Sequence, residues 1–148
     1  MGRGALAGFL GAVVMTAFQR VVEMPLTGRK ESYAPASLVT TLLPIAPKGK
    51  RSWRRLNYIA HFGVGVSWGV GHGVISTRAG LRGQRAVGAV FAALYASDVL
   101  TATALGLYRP WRWTFEDLAV DVIDKLVLAE ATGLAFEQLA AEGEAAPA

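Results

Sequence analysis

The sequence of 148 residues contains no cysteine. This absence excludes a disulfide framework, a thiolate metal site and a cysteine nucleophile. Charged residues are also scarce, at 18% of the chain, whereas hydrophobic residues make up 53% and the mean hydropathy is +0.36. So apolar a composition, in a chain of about one domain's length, favours an integral membrane protein.

Motifs that mark common catalytic sites are also absent: the sequence has no GxSxG, no HExxH, no P-loop and no Rossmann fingerprint. His61 and His72 share one helix face but lie about 16 Å apart by helical rise, so one haem or zinc ion cannot use both. The ExxH spacing of di-iron helical bundles is missing too. We therefore expect no enzyme, no catalytic residue, no metal site and no cofactor.

Four apolar stretches, each near the roughly 20 residues that cross a hydrocarbon core, predict an all-α fold. The expected architecture is a bundle of four transmembrane helices, formed by residues 4–22, 56–76, 85–107 and 118–139. Residues 1–139 would form a single membrane domain, and residues 140–148 a flexible tail. Thr114 and Asp117 have capping-box spacing, which predicts that the last helix begins near Phe115.

The long connector between the first two stretches contains the sequence SYAPASLVTTLLP. Pro35 is suited to open a short helix and Pro44 to end it, which predicts an interfacial helix too short to span. The sequence KGKRSWRR follows and suits anionic lipid head groups at about 1 kcal/mol per positive charge, the alternative being an ordinary positive-inside flank. Its basic side chains are those of Lys48, Lys50, Arg51, Arg54 and Arg55.

Basic residues also predict the orientation. The connectors Arg20–Arg55 and Arg109–Arg112 would lie on one side with ten Lys or Arg residues, against four on the other side. The positive-inside rule then places the long connector in the cytoplasm and both termini outside. Because the cations lie in connectors around apolar helices, we do not expect nucleic acid as a partner.

The stretch HFGVGVSWGVGHGV in the second span is rich in glycine. Its small-xxx-small repeats allow close approach of two helix backbones in apolar surroundings. The repeat consists of Gly65, Gly69 and Gly73. The first span offers a complementary row, Gly4, Gly8 and Ala12. This pattern fits either packing inside one chain or a homodimer seam.

Several ionisable residues lie deep within the predicted spans. This is unusual, because an unpaired charge in a bilayer is costly. At about 1.5 Å rise per residue, five of them fall at similar depth and form a predicted polar layer. The layer consists of His61, Asp98, Asp121, Asp124 and Lys125. It would be a structural network, a proton or ion path, or an active or metal site. If no arginine reaches in, we expect at least one carboxylate to be protonated at neutral pH.

Three stretches of the first half of the chain resemble small bacterial inner-membrane proteins of the YagU-like family. They are GALAGFLGAVVMTAFQ, GRKESYAPASLVTTLLP and LNYIAHFGVGVSWGVGHGV. The resemblance implies a polytopic helical protein of the bacterial inner membrane with a link to acid or envelope stress. It transfers no catalytic residue.

The function expected from these features is that of a non-enzymatic, multi-pass inner-membrane protein. It would be an accessory subunit of a larger membrane assembly or an envelope-stress or acid-stress protein. The alternative is a proton-linked or ion-linked channel or transporter component that uses the buried carboxylates. The expected partners are the bilayer with its anionic head groups, and further copies of the chain or a larger membrane complex.

Overall fold

The computed structural model describes residues 2–145, and in this part of the chain the fold is all-helical without a strand. The first helical run, Gly2–Thr27, is continuous but changes pitch. It consists of α1 (Gly2–Phe18), a π-helical turn (Gln19–Glu23) and α2 (Met24–Thr27). The later helices are α3 (Ala34–Leu42), α4 (Gly49–Ala79), α5 (Gly83–Ala104) and α6 (Phe115–Ala145), with a 3₁₀ turn at Pro110–Arg112. The all-α prediction is confirmed.

Helix α1 lies between α4 and α6 and contacts both along its length. It runs antiparallel to α4, because Gly4 lies against Gly69 whereas Gly8 lies against Gly65. Helix α5 packs on α4 and α6, and the short α3 packs on α4. The four long helices therefore alternate in direction, and α1 packs between α4 and α6.

The glycine seam between α1 and α4 explains this close approach. A Cβ atom added to Gly65 would lie 2.6 Å from the Cβ of Ala12, and one added to Gly4 would lie 2.6 Å from the carbonyl oxygen of Gly69. Both distances are shorter than two non-bonded heavy atoms tolerate, so a side chain at either position would force the helices apart. The third glycine of the repeat, Gly73, lies beside the ring of Phe136, and a Cβ atom there would be in ordinary contact, at 3.8 Å, with Cα of Gly4. The seam thus joins two helices of one chain.

Within residues 2–145, two helical runs are long and apolar enough to cross a membrane, namely Gly2–Thr27 and Gly83–Ala104, whereas the sequence pattern predicts four spans. Helices α4 and α6 have 31 residues each and are also long enough. Their mean hydropathy is lower because α4 carries histidines, Asn57 and many glycines, and α6 carries acidic residues and Lys125.

The helix ends follow local capping signals. Helix α6 begins at Phe115 as predicted, and the hydroxyl of Thr114 accepts a hydrogen bond of 3.1 Å from the backbone N–H of Asp117. Helix α5 stops at Ala104 rather than at residue 107, because Gly106 adopts a positive φ of 72° and turns the chain. Helix α6 continues past residue 139 to Ala145, and residues 146–148 of the predicted tail lie outside the described residues.

Candidate functional site

A polar cavity of about 570 Å³ lies at the end of the bundle that contains the C-terminus of α1, the start of α4 and the start of α6. The connector before α3 and the C-terminal part of α5 complete its walls. All five residues of the predicted polar layer line it: His61, Asp98, Asp121, Asp124 and Lys125. These five residues therefore form part of the wall of a cavity and do not pack into a closed layer across the bundle.

Lys125 connects two of the carboxylates. Its Nζ lies 2.8 Å from Oδ2 of Asp98 on α5 and 2.8 Å from Oδ1 of Asp121, one turn earlier on α6. The rings of Tyr95 and Tyr108 lie 5.0 and 5.2 Å from the same ammonium group. Two carboxylates and two aromatic faces thus hold one cation, and this arrangement joins α5 to α6.

Asp124 has a different environment. It is 7% exposed, and its Oδ2 accepts a hydrogen bond of 2.6 Å from the side-chain amide of Gln19. Its Oδ1 is buried and has no hydrogen-bond partner among the described residues. Gln19 is the first residue of the π-helical turn, whose i→i+5 hydrogen bonding places more residues in each turn and so rotates the side chains that follow.

His61 is bonded to α1 and not to the carboxylate cluster. Its Nε2 lies 3.0 Å from Oγ1 of Thr16, and that hydroxyl donates to the carbonyl of Ala12 at 2.7 Å. Because a hydroxyl has one hydrogen, Thr16 acts as the acceptor and Nε2 of His61 carries the hydrogen. Depth along the helices makes Lys125 and His61 the two cationic candidates for Asp98, and the cation found there is Lys125.

The mouth of the cavity is closed in part by the connector between α2 and α3. In this connector, the guanidinium group of Arg29 forms an ion pair of 2.7 Å with Asp117 at the start of α6. The side chain of Asn57 on α4 donates to the carbonyl of Ser32 at 2.8 Å and accepts from the N–H of Ala36 at 3.2 Å. These contacts fix the connector over the bundle.

Acid should weaken this closure through Asp117. Hydrogen bonds from the backbone and hydroxyl of Thr114, and then from Arg29, hold the pKa of Asp117 below its usual range. A lowered pKa stabilises the fold above the unfolded-state pKa, and this contribution is lost as the pH falls through the folded-state pKa. Between about pH 5 and about pH 3 we expect the wild type to lose more thermal stability than Asp117→Asn. Parallel melting curves for the two proteins would contradict the assignment.

The basic segment, defined as Lys48, Lys50, Arg51, Arg54 and Arg55, forms the start of α4 rather than a loop. All five residues are exposed, and the first turn of α4 contains no acidic residue. Cations at a helix N-terminus oppose the helix dipole, so this arrangement favours an external anion.

The described residues contain no group of three or more histidine, aspartate or glutamate side chains placed to hold a metal ion. Searches of protein-family models, of curated proteins and of solved structures found no match to this chain.

Proposed function

We propose that the chain is a polytopic membrane protein in which α1, α4, α5 and α6 each cross a bilayer. The observation that carries this proposal is where polar and apolar side chains lie. Polar residues that lower the hydropathy of α4 and α6 are enclosed in the bundle: Asn57, His72, Asp124 and Thr132 are 5%, 1%, 7% and 1% exposed. Inward-facing polar groups of this kind are typical of membrane bundles.

The outer surface has the complementary property. Large apolar side chains point outward on every long helix, among them Phe9 (44% exposed), Ile59 (71%), Leu100 (70%) and Leu134 (59%). In water such a surface would favour aggregation, whereas lipid tails cover it without cost. Helices α4 and α6, at 31 residues and therefore about 46 Å long, exceed the hydrocarbon thickness of about 30 Å.

The basic segment supports the orientation in which the cavity opens toward the cytoplasm. It lies at the same end of the bundle as the cavity, where α4 begins. Its exposed cations suit anionic head groups, which are abundant in the cytoplasmic leaflet.

Within the membrane, the proposed role is non-enzymatic. The chain would serve a larger membrane assembly, or a further copy of itself, in the bacterial inner membrane, in line with its resemblance to YagU-like proteins and their link to envelope or acid stress. The Asp98–Lys125–Asp121 ion-pair cluster supports a structural part of this role, because both carboxylates contact an ammonium group of the same chain and so join α5 to α6.

Single cysteines can test the crossings, because the chain has none of its own. Ser52 and Ala79 are exposed at opposite ends of α4, and Glu116 and Glu142 at opposite ends of α6. In intact cells we expect an impermeant thiol reagent to label cysteine at position 79 or 142 but not at 52 or 116. Permeabilised cells, in which all four should react, provide the control. Labelling of both ends of one helix from outside would remove that crossing from the proposal.

A second candidate is a proton-linked or ion-linked component that uses the carboxylates. Its support is a cavity that is open at one end and lined at depth by Asp98, Asp121 and Asp124. Asp98→Asn keeps a hydrogen-bonding side chain beside Lys125 and should fold normally. If the cluster carries protons, this variant abolishes a pH-driven flux in proteoliposomes that the wild type shows. Equal flux in both proteins would leave only the structural role.

A further inference from the structure

The charges around the polar cavity are not balanced. Asp98 and Asp121 share the single ammonium group of Lys125. Asp124 has only the neutral amide of Gln19, and no ion pair of the described residues includes it. The deep wall thus carries three carboxylates against one ammonium group. Because Asp124 is 7% exposed, water compensates its charge poorly.

The mouth of the cavity does not offset this excess. It has as many carboxylates as cations, and Arg29 is already paired with Asp117. These residues are Arg20, Arg29 and Lys30 against Glu23, Glu31 and Asp117. The negative potential therefore belongs to the deep end, although the whole chain has a net charge of +4.

Apolar side chains line the remainder of the cavity. Leu128 lies one helical turn beyond Asp124 and belongs to the same buried cluster as Trp68. Met15 and Val64 pack against this cluster and also line the cavity. A volume of about 570 Å³ is within the range of small-molecule sites, about 300–1,000 Å³. An apolar wall next to an uncompensated carboxylate suits an amphiphilic cation.

We infer that the polar cavity binds an organic cation, with the charged group held by Asp124 and the apolar part against Trp68 and Leu128. The inference rests on the proposed membrane placement, because such a ligand enters from the bilayer or its cytoplasmic surface. Asp124 acts as the counter-ion, and the indole of Trp68 offers a face that attracts cations.

The test uses the full chain in lipid nanodiscs with tetraphenylphosphonium as the probe. Tetraphenylborate, which has the same shape and the opposite charge, is the matched ligand control. Changing Trp53, Trp111 and Trp113 to phenylalanine leaves Trp68 as the only tryptophan, so tryptophan fluorescence reports on the cavity alone. We expect saturable quenching of Trp68 by the cation and binding of the anion that is weaker by about tenfold or more. Empty nanodiscs give the lipid background.

Asp124→Asn should weaken cation binding by about tenfold or more, because it removes the counter-ion but keeps an acceptor for Gln19. Glu130→Gln is the matched control. Glu130 lies on the same helix, accepts a hydrogen bond of 2.9 Å from Gln84 and does not line the cavity. This control variant should bind tetraphenylphosphonium as the wild type does.

Leu38→Phe provides a second variant that changes no charge and adds no tryptophan to the assay. Leu38 lies on α3 and lines the cavity, so a larger side chain there should reduce binding by occupying space. This variant tests the inference if Asp124→Asn does not fold. The inference is overturned if the wild type shows no saturable binding, if both ions bind equally, or if neither variant weakens binding. Cysteine labelling is independent of these outcomes, so a failed ligand site and a failed membrane topology are distinguishable.

Discussion

Gly69→Ala is expected to destabilise the bundle, whereas the same substitution at Gly63 on the same helix stabilises it. A Cβ atom on Gly69 would lie 2.6 Å from Cα of Gly8 and even closer to the carbonyl oxygen of Gly4. These are backbone atoms, so relief requires α1 and α4 to separate, at a cost of about 1–3 kcal/mol or more. Gly63 has nothing within 4 Å, and there alanine gains about 0.5–1 kcal/mol of helix stability.

The measurement is the free energy of unfolding by denaturing detergent in mixed micelles, followed by circular dichroism. Native mass measurement of the same variants distinguishes the two interpretations of the glycine pattern, which are packing inside one chain and a homodimer seam. Loss of a dimer without loss of monomer stability would place the seam between copies instead of within one chain. Equal free-energy changes at positions 63 and 69 would contradict the close contact itself.

Lys125→Met should have the largest effect of any single substitution in the cavity. It leaves Asp98 and Asp121 facing each other without their shared cation, and neither is freely hydrated, at 28% and 20% side-chain exposure. Removing one partner from a buried ion pair costs about 3–5 kcal/mol. We therefore expect strongly reduced stability, measured by the same detergent unfolding.

A compensating variant makes this prediction specific. Combining Lys125→Met with Asp98→Asn and Asp121→Asn removes all three charges and should recover most of the lost stability. Lys30→Met serves as the control, because Lys30 is exposed and its loss should change stability by less than about 0.5 kcal/mol. If the triple variant is as unstable as Lys125→Met, the damage comes from lost side-chain packing and not from stranded charge.

Features that depend on neighbouring residues were predictable from the sequence. Thr114 and Asp117 predicted the start of α6, and Pro35 the start of α3, because capping and proline geometry act within one turn. The small residues of α1 and α4 indicated a close approach for a similar reason, since the repeat itself supplies the flat surface.

Partners of the cavity residues were harder to predict. Helical rise gives the depth of a side chain, and depth brought Lys125 level with Asp98, but it does not give rotation about the helix axis. Rotation separates His61, which bonds to Thr16, from the carboxylates. Gln19 reaches Asp124 from the π-helical turn, for which the sequence carries no recognisable signal. The contact of Arg29 with Asp117 depends on the folded connector and was not predictable either.

The position of α1 between α4 and α6 has a consequence for biosynthesis. Its Gly4 and Gly8 face α4, whereas Gly11 lies against Thr132 of α6, which follows α1, α4 and α5 in the chain. Under the proposed topology, α1 enters the bilayer with the face around Gly11 uncovered until α6 has been synthesised. Asp98 likewise precedes Lys125 in the chain and, under this topology, reaches the bilayer before it. Without α6, the face of α1 around Gly11 would therefore remain uncovered and Asp98 would lack its cationic partner, so under the proposed topology α6 completes both the packing and the charge pairing of the helices before it.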